Sequence, residues 1–172
     1  NIFTNGFSNF FTNFGGGGST LALVFLMVGI AKSKRMKTLG RLAIVPGIFG
    51  INEMIIFGLP VVLNPIMLVP FLATPLVNTI LSIIATVIGI LPRTTGVSIP
   101  WTTPFFFSGW LATGHLIAGF WQIILIAIDC LIYYPFFKVM DRQFLAEEEK
   151  PEQDLKDDLD DISLDDLSFD DL

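Results

Sequence analysis

The chain has 172 residues, of which 52% are hydrophobic and 15% charged, with a formal net charge of −6; that apolar share excludes an ordinary soluble domain of this size. Residues 1 to 31 carry no charge, and residues 43 to 137 carry only Glu53, Arg93 and Asp129, the distribution expected where lipid is the solvent. The net charge describes the end of the chain, because residues 147 to 172 hold 13 acids against Lys150 and Lys156, a local balance of −11, which leaves +5 on the first 146 residues.

Residues 1 to 19 alternate Phe with Asn, Thr and Ser and end in Gly15-Gly16-Gly17-Gly18. Polar yet uncharged, this segment suits a lined cavity with close backbone approach. The sequence opens without Met or a basic leader, so it reads as a fragment of a longer chain. Gly15 to Ala31 is predicted as one short transmembrane helix. Lys32, Lys34, Arg35, Lys37 and Arg41 follow at once, and the positive-inside rule puts them in the cytoplasm. Residues 38 to 49 space Leu39, Leu42, Ala43, Pro46 and Phe49 as on a helix, predicting a short interfacial helix along the membrane surface.

An apolar zone from Ile51 to Leu91 is interrupted by Pro60, Pro65, Pro70 and Pro75, too many for one straight helix. The expectation is a re-entrant hairpin through residues 51 to 70, then a span over 71 to 91. Leu91 to Gly96 reads as a turn, and Pro100-Trp101-Thr102-Thr103-Pro104 as a rigid interfacial segment. The last span is predicted from Gly114 to Phe137, with Lys138 and Arg142 returning to the cytoplasm. Beyond it, Asp-Asp pairs interleaved with Leu, Ile, Ser and Phe predict a disordered acidic tail over 147 to 172. The fold class is thus an all-α integral membrane protein: a membrane domain over 1 to 146 with a re-entrant hairpin and a short interfacial helix, and a cytoplasmic tail.

Glu53 lies between Gly50 and Gly58 in an apolar zone. A carboxylate there costs about 3 kcal/mol on insertion scales, so it faces a cavity or a partner. It can accept hydrogen bonds from a hydroxylated ligand, exchange a proton, or, with Asn52, cap a helix start. Asp129 sits in the last span without a neighbouring Gly or Pro and reads first as a carboxylate facing another helix. His115 has no Cys, His or acid at metal-ligand spacing, so no metal site is expected, leaving only a gating or proton role. Trp101 between two prolines suits either a platform for a sugar ring or an interfacial anchor. The single Cys130 excludes an internal disulfide. No phosphate loop or basic-aromatic nucleic-acid surface is present.

The run Gly50-Ile51-Asn52-Glu53-Met54-Ile55-Ile56-Phe57-Gly58 resembles the Asn-Glu-Pro motif of the membrane (IIC) component of bacterial phosphotransferase-system permeases of the lactose/cellobiose/diacetylchitobiose group. So do Lys32 to Gly40, Val45-Pro46-Gly47-Ile48-Phe49, Pro100 to Pro104 and Ile132-Tyr133-Tyr134-Pro135-Phe136-Phe137-Lys138. The resemblance covers residues 1 to about 146, as the C-terminal part of such a permease. It implies that Glu53 and Asn52 bind sugar hydroxyls, that Trp101 stacks on a ring, and that Asn5 adds a polar contact. It also implies a multi-pass protein of the bacterial plasma membrane, homodimeric when whole, that needs no cofactor. A separate cytoplasmic IIB protein would phosphorylate the β-linked disaccharide it translocates. Met54 stands where the family has proline. The rival readings are a non-transporting remnant and an intramembrane enzyme with Glu53 as base.

Overall fold

A computed structural model of the protein describes residues 7–13, 16–59, 61, 63–97, 99–100 and 102–161, with side chains as far as Lys150. Helices are the only regular elements among the described residues. A turn of π-helix, Ser8–Thr12, and a 3-10 turn, Gly17–Ser19, precede helices α1 (Leu21–Ile30), α2 (Lys34–Ile48), α3 (Glu53–Gly58), α4 (Pro65–Ile88), α5 (Phe107–Thr113) and α6 (Leu116–Asp161).

The expected helix from Gly15 to Ala31 begins only at Leu21, and the segments on either side of the break meet at 53°. Gly16 and Gly18 have φ of +97° and +74°, values that side-chain-bearing residues avoid. The glycines therefore turn the backbone away from the helix.

The segment expected along the membrane surface packs instead as α2, antiparallel to α1. A Cβ on Gly40 would lie 2.7 Å from the Met27 Cβ, and one on Gly47 3.4 Å from Leu21, so these two glycines let the helices approach closely. Over its 15 residues α2 rises about 22 Å, from the basic loop back to the level of the glycine turn. Gly50 (φ +80°) reverses the chain, and α3 descends beside α2, with Gly58 against Leu39. By residue 64 the chain is back at the basic end, where Asn64 Nδ2 lies 4.0 Å from Met140 Sδ.

A hairpin exists, but α2 is its entering arm and residues 49 to 52 its tip, rather than both arms falling within 51 to 70. At six residues, about 9 Å, α3 is far too short to cross a membrane alone.

The prolines of the next segment do not split it. Pro65 starts α4 at a position where no backbone N–H is needed, behind an Asn64 cap whose Oδ1 accepts the Ile66 amide at 2.9 Å. Pro70 and Pro75 lie inside a continuous 24-residue helix, and the Thr74 and Thr79 hydroxyls donate to their carbonyls at 3.0 and 2.6 Å. Each interior proline removes one backbone bond, a loss that helices packed in membranes tolerate. The proper span therefore starts at Pro65, not residue 71.

Helix α4 is long and apolar enough to cross a membrane, and so is the apolar run within the Leu116–Lys150 part of α6, which ends before the charged residues from Lys138 on. Helix α4 is inverted relative to a soluble helix. Leu72, Leu76, Ile80 and Ile84 are exposed on α4, whereas Thr74, Asn78, Ser82 and Thr86 are buried, each set recurring every fourth residue as one helix face. The main apolar cluster joins Leu23, Met27, Ile55, Met67, Tyr133 and Phe137.

The acidic segment also departs from expectation. Helix α6 runs on to Asp161, so residues 147 to 161 are helical rather than disordered, while residues 162 to 172 lie outside the described part. One cause is visible at the start of α2. Four backbone N–H groups there lack helical partners, and all four are satisfied. The Ser33 amide reaches Asp141 Oδ1 at 3.0 Å, the Lys34 and Arg35 amides reach Glu148 at 3.0 and 2.8 Å, and the Met36 amide reaches Ser33 Oγ at 3.2 Å. Ser33 Oγ donates to Glu148 at 2.7 Å, and the Lys32 amide also donates to Asp141. Acids two turns apart on α6 thus hold α2, and α2 holds this part of α6 helical. The contact also puts the two basic clusters at one end of the molecule.

Candidate functional site

The hairpin tip is fixed by its own backbone and by one side chain. The Phe49 and Ile51 amides both donate to the Pro46 carbonyl at 3.0 Å. Asn52, only 8% exposed, donates Nδ2 to the Gly17 carbonyl at 2.9 Å and to Thr20 Oγ1 at 3.0 Å. A Cβ on Gly16 would overlap the Asn52 side chain, so the glycine turn and the tip interlock. The Asn52 amide group is therefore a fastening between tip and turn. Glu53, the next residue and the first of α3, is exposed. Its carboxylate receives no hydrogen bond from any described residue.

The turn beneath it is gripped from the other side by α4 and α6. The Gly18 carbonyl accepts from Tyr133 Oη at 2.6 Å and from Thr74 Oγ1 at 2.8 Å. Asn78 Nδ2 donates to Ser19 Oγ at 3.0 Å and to Asp129 Oδ2 at 2.9 Å, and Ser19 Oγ donates to the Thr12 carbonyl at 3.1 Å. Thr74, Asn78, Asp129, Tyr133 and Ser19 are all 0% exposed. Asp129 Oδ1 and Asn78 Oδ1 have no partner among the described residues, and an unmatched buried acceptor costs about 1–3 kcal/mol. Asp129 thus faces a neighbouring helix, as expected for a carboxylate without a flanking glycine.

The candidate residues separate into groups. Glu53 and Asn52 share the tip, and Asp129 belongs to the polar clamp behind the turn. His115 is exposed just before α6, its amide 3.3 Å from Thr113 Oγ1. It stands about 20 Å along the helix from Asp129, so the two do not act together. Asn5 and Trp101 lie outside the described residues. Phe105, four residues after Trp101, donates its amide to the Ile48 carbonyl at 3.3 Å, which ties that strand of chain to the end of α2. Among the described residues no three His, Cys, Asp or Glu come together as metal ligands.

Several positioning residues went unread in the sequence. Thr74, Asn78, Ser82 and Thr86 formed a legible polar stripe at fourfold spacing, masked by the prolines around them. Gln122, fully buried, accepts the Phe106 amide at Oε1 (2.7 Å) and donates Nε2 to the Phe10 carbonyl (2.6 Å). It stabilises Phe106 at φ +72°, a conformation costly for an aromatic residue. No spacing rule would have found it.

Comparison with known proteins bears on what such a tip does. Residues 1–75 match the family model described as phosphotransferase system, EIIC. The chain is 50% identical over 148 residues to a lichenan permease IIC component of Bacillus subtilis (strain 168), covering 86% of this chain and 33% of that protein. It is 47% identical over 150 residues to a cellobiose-specific EIIC component of Geobacillus stearothermophilus, covering 87% and 33%. The crystal structure of the transporter ChbC, the IIC component from an N,N'-diacetylchitobiose-specific phosphotransferase system, superposes with a TM-score of 0.85 at 45% identity, covering 87% of this chain and 35% of that one. The chain therefore spans about a third of the length of these relatives.

Proposed function

We propose, from the premise that this chain is a relative of the phosphotransferase-system EIIC permeases of the lactose/cellobiose/diacetylchitobiose type, that it forms part of a sugar permease. In this reading it supplies the C-terminal, substrate-binding part. Glu53 accepts hydrogen bonds from hydroxyls of a β-linked disaccharide, a charge-assisted contact that is both strong and directional. The reading is supported above all by the placement of Glu53: a carboxylate without a partner among the described residues, at the tip of a hairpin whose neighbour Asn52 is bolted to a rigid turn. Rigid placement matters because a ligand that orders its own site loses affinity in doing so.

Asn52 keeps its side-chain oxygen for the sugar while its amide holds the turn. Trp101 stacks on a ring face, consistent with the Phe105–Ile48 bond that brings the following residues to the hairpin. Asn5 contributes from the segment before the glycines. A cytoplasmic IIB protein phosphorylates the sugar, and the permease resides as a homodimer in the bacterial plasma membrane.

The test is uptake of cellobiose by the full-length permease carrying Glu53→Gln, compared with its parent. Loss of one charge-assisted contact predicts a fall in affinity of about tenfold or more. Uptake at parental affinity would overturn the assignment of Glu53. Equilibrium binding by this chain alone in detergent separates a working binding domain from a remnant.

A further inference from the structure

At the basic end a groove of about 480 Å³ lies between the loop after α1 and one face of α6. Tyr134, Lys138 and Arg142 line it at successive four-residue steps of α6, and Lys32 lines it from the opposite loop. Its walls are otherwise apolar, from Ile30, Phe137 and Leu145. The one acid in it, Asp141, is already occupied, since both its oxygens accept the Lys32 amide and one also accepts that of Ser33. Lys138 Nζ lies 5.9 Å over the Tyr134 ring, and none of the three basic groups is ion-paired with a described residue. Three cations against one engaged carboxylate leave a groove with an excess of positive charge.

The surroundings specify the kind of anion. Ile30 and Leu131, at 48% and 75% exposure, extend an apolar surface beside the groove. Basic residues following an apolar helix mark the cytoplasmic boundary of a bilayer, where anionic lipids concentrate and where each nearby Lys or Arg strengthens attraction several-fold. A free phosphate would match the charges but not the apolar walls. We propose that this groove binds the head group of an anionic phospholipid of the inner leaflet, its phosphate between Lys32, Lys138 and Arg142 and its first acyl carbons along Ile30 and Phe137. The bound lipid would bridge α1 and α6 beside the Asp141 contact.

The test is native mass spectrometry of the full-chain protein, delipidated and titrated with phosphatidylglycerol or phosphatidylcholine. Phosphatidylglycerol is expected to bind in preference. The K32Q/K138Q/R142Q variant should lose that preference by about tenfold to a hundredfold, given a several-fold effect per charge. A control variant, K34Q/K37Q/R41Q, removes the same charge outside the groove and should retain it. Equal binding of both lipids, equal losses in the two variants, or displacement of phosphatidylglycerol by millimolar inorganic phosphate would each overturn the proposal. A groove variant that fails to fold is replaced by K138Q/R142Q, for which an undiminished preference has the same force.

Discussion

Replacing Asp141 by Ala tests whether the hairpin arm depends on α6. Asp141 is 6% exposed, and its oxygens accept the Lys32 amide at 3.0 and 3.1 Å and the Ser33 amide at 3.0 Å. Hydrogen bonds to charged groups contribute about 1.5–3 kcal/mol each. Ser33 is fully buried and would lose that amount, whereas the Lys32 amide beside the open groove can take water and would lose about 1 kcal/mol or less. The sum, about 2–4 kcal/mol, corresponds to about 30-fold to 1,000-fold more frequent opening of the first turn of α2. Hydrogen exchange of the full-chain protein in detergent reads this directly in peptides covering residues 32 to 37, with peptides from the middle of α4 as the unaffected reference. Asp141→Asn keeps one acceptor oxygen and should give a smaller acceleration. Parental exchange in residues 32 to 37 of a folded Asp141→Ala protein would refute the reasoning. On the proposed function, the same substitution should also weaken sugar binding without touching Glu53, because α2 carries the tip.

Gly18→Ala should destabilise the protein by about 1–3 kcal/mol, seen as a lowered thermal midpoint, because it adds a Cβ at φ +74° against the Phe71 ring. Phe71→Ala in the same protein should recover only part of that loss, since the backbone conformation remains unsuited to Ala. Asn78→Leu strips Asp129 Oδ2 of its donor and should cost about 2–4 kcal/mol. Adding Asp129→Leu should recover much of it, and strict additivity of the two in thermal unfolding would contradict their coupling. Glu148, three turns beyond the apolar part of α6, has its carboxyl held below the ordinary 4.5 by the Arg35 amide first and then by the Ser33 hydroxyl. A lowered folded-state value means that its contribution is complete above pH 4.5 and is lost as pH falls through that lowered value. Glu148→Gln should therefore flatten the acid side of the stability profile, and an unchanged acid limb would count against the cap.

The membrane class, the all-helical architecture and the shared side of the two basic clusters were legible in the sequence. Each rests on a signal carried by single residues: hydropathy, charge, or a short motif. Prolines at 70 and 75 misled because a proline's local cost is fixed, whereas its neighbours in the fold decide whether that cost ends a helix. Gly40 and Gly47 likewise gave no sign of their partner, so a helix with an amphipathic pattern was read as lying on a surface when it packs along α1. Glu148 read as part of a solvated acidic tail and Asp141 drew no notice, yet their charge completes a helix start more than a hundred residues earlier. Composition determined the solvent this chain is built for and marked Glu53 as a carboxylate needing a reason. Only the tertiary structure put it at a hairpin tip, because a tip is made by contacts between Asn52, the glycine turn, α4 and α6, and no single stretch of sequence contains them all.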